Sequence, residues 1–146
     1  MKLSRESRYA VIGLSVLVVK PPGTVLEVSQ VAEEAGLPAP FLAKIFGKMT
    51  RYGVLTSHRG KTRGYSLAKP PSELTVRQVL EAVDGPDLFE RCIFWTETCN
   101  DENPCPLHNS WKDLKPLIAQ RMTEVTLDKI AVDGNLAAGG DRSPSA

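Results

Sequence analysis

Two short amphipathic segments in tandem, followed by a basic turn, constrain the fold more than any other feature of the sequence. The first segment ends at Gly36, and the second enters at Pro38 and Pro40 and closes at Gly53. Both place apolar residues at the i, i+3, i+4 and i+7 positions of one helix face. Those positions are Val28, Val31, Ala32 and Ala35 in the first segment and Leu42, Ile45, Phe46 and Met49 in the second. The pattern predicts a helix-turn-helix whose turn lies at Gly36-Leu37.

A basic turn between two short strand candidates comes next in the chain. Residues 54–58 and 64–67 are the strand candidates, and they bracket the segment Arg59-Gly60-Lys61-Thr62-Arg63. A helix-turn-helix followed directly by such a hairpin is a winged helix. We therefore predict a mainly α fold with a small β wing, and we assign residues 1–69, which include an apolar first helix at residues 6–19, to a winged-helix domain.

The second half of the chain is predicted to hold a helix, a loop and a longer helix. The segment Thr75-Val76-Arg77-Gln78 fits a capping box, and the helix that it opens ends at Gly85-Pro86. Residues 87–104 show little periodicity and are predicted to form a loop, with a long helix from Pro106 onward. We assign residues 70–133 to this unit and residues 134–146, which are rich in glycine, serine and proline, to a disordered tail.

The long C-terminal helix carries an apolar seam that predicts dimerisation. Its residues are spaced 3, 4, 4 and 3 apart, as in a heptad repeat, and they are Trp111, Leu114, Ile118, Met122 and Val125. Because a small winged-helix domain cannot bury this seam by itself, a second copy of the chain is the expected cover. Pro116 lies inside the helix and should kink it or weaken one turn.

Three groups of residues are candidates for contact with double-stranded DNA. Cations on one face of the second helix of the helix-turn-helix would meet the major groove, and cations at the wing tip would reach the backbone or a neighbouring groove. The start of that helix offers only apolar or steric contacts. The helix cations are Lys44, Lys48 and Arg51. The wing-tip cations are Arg59, Lys61 and Arg63, and the helix start is Ala39, Pro40 and Phe41. Taken alone, the helix cations fit a solvated charged face better than a DNA contact. The adjacent basic wing tip is what favours the DNA contact.

The charge distribution agrees with a polyanionic partner for the first half of the chain. Residues 1–69 contain 11 lysines and arginines against 4 acidic residues, whereas residues 70–133 contain 6 against 12. No stretch approaches the roughly 20 apolar residues of a membrane span. The apolar segment 10–19 lacks a following signal-peptide cleavage site, so we expect a cytoplasmic protein that does not use a membrane.

Three cysteines close together point to a bound metal or cluster. They follow the pattern Cys92-x6-Cys99-x5-Cys105, and His108 comes three residues after the last of them. An odd number of cysteines is a poor disulfide framework. Three thiolates and a histidine suit an iron–sulfur cluster, although a Cys3His zinc site uses the same ligand types with tighter spacing. Three unrelated thiols are the remaining alternative, and His108 fits a packed or exposed residue as readily as a ligand.

Several segments of the chain resemble the Rrf-type family of bacterial regulators, which includes the iron–sulfur cluster regulator and the nitric-oxide-sensing repressor. The N-terminal segments Met1-Lys2-Leu3-Ser4 and Arg8-Tyr9-Ala10-Val11 carry the resemblance, as do Phe41-Leu42, Ile45-Phe46, Gly53-Val54, Arg59-Gly60, Gly64-Tyr65 and residues 79–84. The most specific part is the three cysteines with Cys105-Pro106-Leu107-His108-Asn109-Ser110-Trp111. The match covers roughly residues 1–131.

The resemblance implies a homodimer that binds a palindromic promoter site and holds one cluster per subunit. It implies a [2Fe-2S] cluster on Cys92, Cys99, Cys105 and His108, in preference to a [4Fe-4S] cluster. In the nitric-oxide sensors the fourth ligand is an aspartate of the partner's N-terminal helix, and the matching position here is Arg8, which cannot ligate. The wing also departs from the family, because its tip is less rich in glycine.

The expected function is sequence-specific transcription regulation, with DNA affinity set by a cluster that senses redox state, nitric oxide or iron–sulfur status. Ordering of the loop 87–104 around the cluster would set the separation of the two recognition helices at about 34 Å. The alternative is a regulator without a cluster, with structural zinc or with thiol-based redox sensing. The sequence contains no nucleophile–base pair and no phosphate-binding glycine loop, so an enzyme is not expected.

Overall fold

The computed structural model of the chain describes residues 1–94 and 99–130. Its helices and strands follow in the order α1 (Arg5–Val18), α2 (Val28–Ala35), α3 (Ala39–Arg51), β1 (Leu55–His58), β2 (Gly64–Leu67), α4 (Val76–Asp84), α5 (His108–Lys112), α6 (Leu114–Glu124) and α7 (Leu127–Ile130), with one 3-10 turn at Pro71–Glu73. The predicted fold class is confirmed, since helices dominate and one two-stranded antiparallel sheet accompanies them.

Local sequence signals account for where the helix-turn-helix begins and ends. The side chains of Glu27 and Gln30 form a capping box at the start of α2, and Gly36 ends the helix in a left-handed conformation at φ 67°. Pro38 and Pro40 flank the first residue of α3, where a missing amide hydrogen costs nothing. The predicted turn at Gly36-Leu37 therefore lies between two real helices.

The wing is anchored to the helical part of the molecule by backbone pairing. Strand β1 pairs antiparallel with β2 from Leu55 opposite Leu67 to His58 opposite Gly64. Leu26, just before α2, adds an isolated bridge to Tyr65, with N···O distances of 2.8 and 3.0 Å. A side chain at Gly64 would overlap the Leu26 carbonyl, and its φ of 142° also favours glycine.

The main hydrophobic core crosses the domain boundary predicted at residue 69. Leu14 of α1, Leu42 and Phe46 of α3 and Leu55 of the wing are fully buried in it. Val79 of α4 is also fully buried in this core. The other buried core residues beyond position 69 are Leu74, Ala82, Val83 and Leu127. The winged helix is thus completed by packing against α4 and by the start of α7.

The predicted long C-terminal helix is divided into two, which corrects that prediction in part. Helix α5 ends at Lys112, and α6 begins at Leu114. Pro116 has no amide hydrogen to donate to the carbonyl of Lys112, and its ring would clash with that carbonyl, so the helix breaks one turn before the proline. The weakened turn expected from Pro116 is therefore present as a break of one residue, Asp113, whose own backbone stays helical at φ −85° and ψ −23°.

Helix α6 packs against α4 through a second, smaller core. Leu80, Leu88, Phe89 and Ala119 are buried there. Two residues of the predicted seam, Ile118 and Met122, lie against this core together with Met1, Val11 and Val76. No helix within residues 1–94 and 99–130 combines the length and apolar character that a membrane span requires.

Candidate functional site

The three cysteine sulfurs converge between the end of α4 and the start of α5. Their Sγ atoms all lie within 4.8 Å of one another, and Cys92 Sγ is 3.5 Å from Cys105 Sγ. Cys105 is buried, whereas Cys92 and Cys99 are half-buried. The structure thus brings together the three cysteines that the sequence grouped, although residues 95–98 between the first two cysteines lie outside the described residues.

Backbone amides point at two of the sulfurs. The amide of Phe94 donates to Cys92 Sγ at 3.3 Å, and the amide of Cys105 donates to Cys99 Sγ at 3.2 Å. Such N–H···S contacts stabilise charge on a thiolate ligand and tune the potential of a bound iron–sulfur group. Burial raises the pKa of the Cys105 thiol, so a metal must displace a proton that this sulfur otherwise retains at neutral pH.

His108 lies beside the sulfurs, on the first turn of α5. Its backbone amide donates to the carbonyl of Cys105 at 3.0 Å, which ties the histidine to the last cysteine. The ring is buried, with Nδ1 3.3 Å from Cys99 Sγ and Nε2 2.9 Å from Asp101 Oδ1. Lys112 donates to the same carboxylate oxygen at 2.9 Å. The hydrogen bonds from Lys112 and then from His108 hold the pKa of Asp101 below its ordinary value.

The sequence pattern does not single out Asp101, although the position of this residue carries a signal. It stands two residues after Cys99 and seven before His108. Loop residues between two candidate ligands are well placed to contact those side chains, and carboxylates are frequent partners of metal-bound histidines in general. The Asn100 side chain shapes this turn by accepting the amides of Glu102 and Asn103 at 3.0 and 2.7 Å.

The donor set fits a soft or borderline metal group. Sulfurs bound at about 2.3 Å to one tetrahedral zinc ion lie about 3.8 Å apart, which is close to the separation of Cys92 and Cys105. A two-iron cluster divides its ligands between two metal atoms and needs a wider set. None of the three cysteines belongs to either hydrophobic core cluster, although Cys105 is itself buried.

Asp84 links α1 to the start of the cysteine segment, which we define as the chain from Cys92 to Cys105. Its carboxylate accepts from the Ser4 and Ser7 hydroxyls at 2.5 and 2.6 Å, and its carbonyl accepts from Arg91 at 2.7 Å. Arg91 immediately precedes Cys92. The first turn of α1, the end of α4 and the entry to the cysteine segment are thus held together by hydrogen bonds.

The predicted DNA-contacting residues of α3 differ in exposure and in their partners. Lys44 and Arg51 are exposed, but Lys48 forms an ion pair with Glu6 of α1 at 2.7 Å and lies 3.5 Å from the carbonyl of Val83. At the start of α3, Phe41 is 57% exposed and Pro40 is also exposed, whereas Ala39 packs against the core. The free face of α3 is therefore smaller than the sequence predicted.

The wing presents its three cations to solvent. Arg59, Lys61 and Arg63 are all exposed, and none has a hydrogen bond or an ion pair within the part of the chain that the structure describes. Arg59 and Arg63 border a groove of about 420 Å³, which His58 of β1 and Ser29 of α2 also line. Ser29 was missed in the sequence, where its only signal is a hydroxyl in the first turn of the helix-turn-helix.

The apolar surface near α5 and α6 differs from the predicted seam. Leu114 is exposed and Trp111 is half-buried, but Ile118 and Met122 turn inward. Helix α6 ends at Glu124, and the carbonyl of Val125 accepts from the Val76 amide at 2.8 Å, so the seam's last residue is not on the helix. Two leucines outside the predicted seam, Leu107 and Leu117, are exposed as well.

Comparison with known proteins agrees with this architecture. The Rrf2 family profile, described as an iron-dependent transcriptional regulator, matches residues 3–133. An HTH-type transcriptional regulator of Aquifex aeolicus is 33% identical over 120 residues, covering 81% of this chain and 83% of the relative. The HTH-type transcriptional regulator IscR of Aliivibrio salmonicida is 28% identical over 142 residues, covering 97% and 84%.

A solved structure supports the fold independently of sequence similarity. CymR, the global cysteine regulator of B. subtilis, superimposes with a TM-score of 0.71 at 22% identity, covering 90% of this chain and 96% of CymR. The relatives are transcription regulators and not enzymes, in agreement with the sequence prediction. The family resemblance seen in the sequence is confirmed: this chain belongs to the Rrf2 family of transcription regulators.

Proposed function

We propose that this chain is a homodimeric regulator that binds promoter DNA in the bacterial cytoplasm, and whose DNA affinity depends on an iron–sulfur cluster. The proposed ligands are Cys92, Cys99, Cys105 and His108. The observation that carries the proposal is the convergence of three sulfurs and one buried imidazole at a point tied by Asp84 and Arg91 to the base of the winged helix.

The DNA-binding part of the proposal rests on exposed cations around a helix-turn-helix that form no ion pair among residues 1–94 and 99–130. Lys44 and Arg51 on α3 are positioned for the major groove, with Phe41 at the helix start available for an apolar contact such as a thymine methyl. Arg59, Lys61 and Arg63 would contact phosphates and would contribute most of the salt dependence. Lys48 is the weakest candidate of the set, because Glu6 neutralises it.

The sensing part of the proposal rests on the hydrogen bonds that connect the start of the cysteine segment to α4 and α1. When bound, an iron–sulfur cluster supplies a centre that responds to oxidants or nitric oxide and that joins four side chains from one loop and one helix. Arg91 holds the entry of that loop on the Asp84 carbonyl, and the Asp84 carboxylate holds the first turn of α1 through Ser4 and Ser7. A change in the loop therefore reaches α1 directly.

Helix α1 also contacts the recognition helix. Glu6, in the first turn of α1, forms the ion pair with Lys48 of α3, and Lys48 lies near the Val83 carbonyl at the end of α4. Displacing the first turn of α1 would release or reorient Lys48. We propose that the contacts among α1, α3 and the end of α4 have two arrangements with different DNA affinities. Ordering of the cysteine segment around the cluster would favour one of them.

A second copy of the chain is proposed to cover the exposed leucines of α5 and α6. Leu107, Leu114 and Leu117 are each more than 40% exposed. Leu114 and Leu117 are three residues apart on α6, and exposed apolar patches are typical of association surfaces. A two-fold dimer would present two recognition helices to a palindromic site.

The main alternative is a regulator without an iron–sulfur cluster. The compact set of sulfurs matches a single tetrahedral zinc ion closely, and the 3.5 Å contact between Cys92 and Cys105 also favours a thiol pair that peroxide could oxidise to a disulfide. Both alternatives keep the winged helix and its DNA contacts but change what is sensed.

Anaerobic purification of the full chain tests the proposal. Iron and sulfide in equal amounts, with visible and electron paramagnetic resonance spectra of a cluster, are expected, and Cys92→Ala should abolish them. The winged helix of Cys92→Ala should still bind DNA. Colourless protein with stoichiometric zinc would contradict the cluster, as would protein with no metal that forms a disulfide under peroxide.

A further inference from the structure

Both ring nitrogens of His108 are engaged in the structure. Nδ1 lies 3.3 Å from Cys99 Sγ, on the side of the sulfurs, and Nε2 lies 2.9 Å from Asp101 Oδ1. An ionised carboxylate can only accept, so the Asp101 contact requires the proton on Nε2. The tautomer that results leaves the lone pair of Nδ1 directed toward the sulfur group.

Asp101 is itself held in place from two directions. Lys112, one turn after His108 on α5, donates to the same carboxylate oxygen at 2.9 Å. The turn that carries Asp101 is fixed by the Asn100 side chain, which accepts two backbone amides. The His108 side chain is only 9% exposed, while that of Asp101 is 69% exposed, so an exposed carboxylate fixes a buried ring.

We propose that Asp101 is a positioning residue that makes Nδ1 of His108 the fourth ligand atom of the site. The inference rests on the proposed function, since it concerns the cluster proposed above. Metal-bound histidines commonly donate the second ring N–H to a carboxylate, and loss of that partner typically weakens metal retention by about 10- to 100-fold. Asp101 would act through His108 and would not touch the cluster itself.

The structure supplies a matched control next to Asp101. Glu102 is the following residue, is exposed, and its carboxylate has no hydrogen bond or ion pair among residues 1–94 and 99–130. Glu102→Gln and Asp101→Asn therefore remove the same charge at nearly the same place. Only Asp101→Asn changes a group in contact with His108.

The test uses the anaerobically loaded full chain and selectively labelled histidine. The chain has two histidines, so a His58→Gln background leaves His108 as the single reporter. With ¹⁵N at Nδ1, pulsed electron paramagnetic resonance of the reduced cluster should show the strong coupling of a directly bound nitrogen. With ¹⁵N at Nε2, it should show only a weak, remote coupling. Asp101→Asn should alter the Nδ1 coupling and speed cluster loss to a chelator about tenfold, with Glu102→Gln unchanged.

The outcomes separate this inference from the proposed function. Strong coupling from Nε2, or no histidine coupling in a protein that does hold a cluster, would overturn the assignment of Nδ1. An Asp101→Asn protein indistinguishable from Glu102→Gln would overturn the role of Asp101. A chain that takes up no iron and sulfide would overturn the proposed function and this inference with it.

Discussion

The winged helix and the cysteine segment are held together by different kinds of interaction. The winged helix encloses a continuous hydrophobic core that includes Leu14, Phe46 and Leu55 and extends to Val79 of α4. The cysteine segment contributes no cysteine to either core and is organised by polar contacts, among them those of Asn100 and Asp101. One region should therefore fold on its own, whereas the other should depend on what its donor atoms bind.

This difference gives a physical reason for the proposed division of DNA binding and sensing between the two regions. A close-packed core has one favoured arrangement, so it can present recognition helix and wing with constant geometry. A loop held by a few hydrogen bonds and a bound group has its order coupled to that group. Asp84 lies at the boundary, because it belongs to α4 and binds both Arg91 and the serines of α1.

The largest effect is expected from Phe46→Ala in the core. Phe46 is fully buried and lies edge-on to Tyr65 of the wing, so its loss should lower the free energy of unfolding by about 3–5 kcal/mol. Phe41→Ala is the matched control, since this ring is 57% exposed and its loss should change stability by less than about 0.5 kcal/mol. Urea unfolding of both variants measures the difference. If Phe46→Ala and Phe41→Ala were equally stable, the burial of Phe46 in the hydrophobic core would be contradicted.

The next effect is expected from Asp84→Ala at the boundary between the regions. Removing this carboxylate leaves the buried hydroxyl of Ser7 without its acceptor and should cost about 1–3 kcal/mol of stability. The same variant should reduce the difference in DNA affinity between cluster-loaded and cluster-free protein. Glu90→Ala removes an exposed carboxylate that has no hydrogen bond or ion pair among residues 1–94 and 99–130, so this variant is the control and should keep that difference. If Asp84→Ala keeps the full difference in DNA affinity between cluster-loaded and cluster-free protein, Asp84 does not couple the cysteine segment to DNA binding.

Alanine substitutions of the wing cations are expected to have a moderate effect on DNA binding. Arg59→Ala, Lys61→Ala and Arg63→Ala should each lower the slope of log affinity against log salt by about 1, without changing stability. Lys129→Ala in α7 should leave the slope unchanged. A salt titration of binding to one promoter fragment makes the comparison, and equal slopes for wing and α7 variants would exclude the wing from the interface.

The smallest effect is expected from Glu6→Gln. The ion pair with Lys48 is partly exposed, at 49% for Glu6 and 38% for Lys48, so its loss should cost less than about 1 kcal/mol. Freed from this pair, Lys48 becomes available to phosphate, and DNA affinity should rise slightly with a steeper salt slope. A fall in affinity would show that the pair holds α3 in its binding orientation.

The winged helix could be predicted from the sequence because local signals and the global fold agree there. The spacing of apolar residues, the glycine at position 36 and the prolines before α3 each favour the structure that packing completes. The convergence of the three cysteines could also be expected, since they lie within 14 residues of one another in the sequence.

The predictions were weaker where long-range contacts decide the outcome. The seam was derived from spacing on one helix, but packing of α6 on Leu80 and Phe89 turns Ile118 and Met122 inward. Lys48 was placed on a DNA face because helical spacing carries no information about Glu6, 42 residues away. Asp101 was missed because its partner His108 depends on how the loop closes.

The difference in DNA affinity between the two states of the cysteine segment tests the central claim most directly. Promoter DNA would be titrated under anaerobic conditions against cluster-loaded protein, cluster-free protein and Cys92→Ala. We predict that loaded and cluster-free protein differ by at least about tenfold, which is about 1.4 kcal/mol, and that Cys92→Ala matches the cluster-free protein. Equal affinities of loaded and cluster-free protein would contradict the account, and would leave a winged-helix regulator whose cysteines do not control its DNA binding.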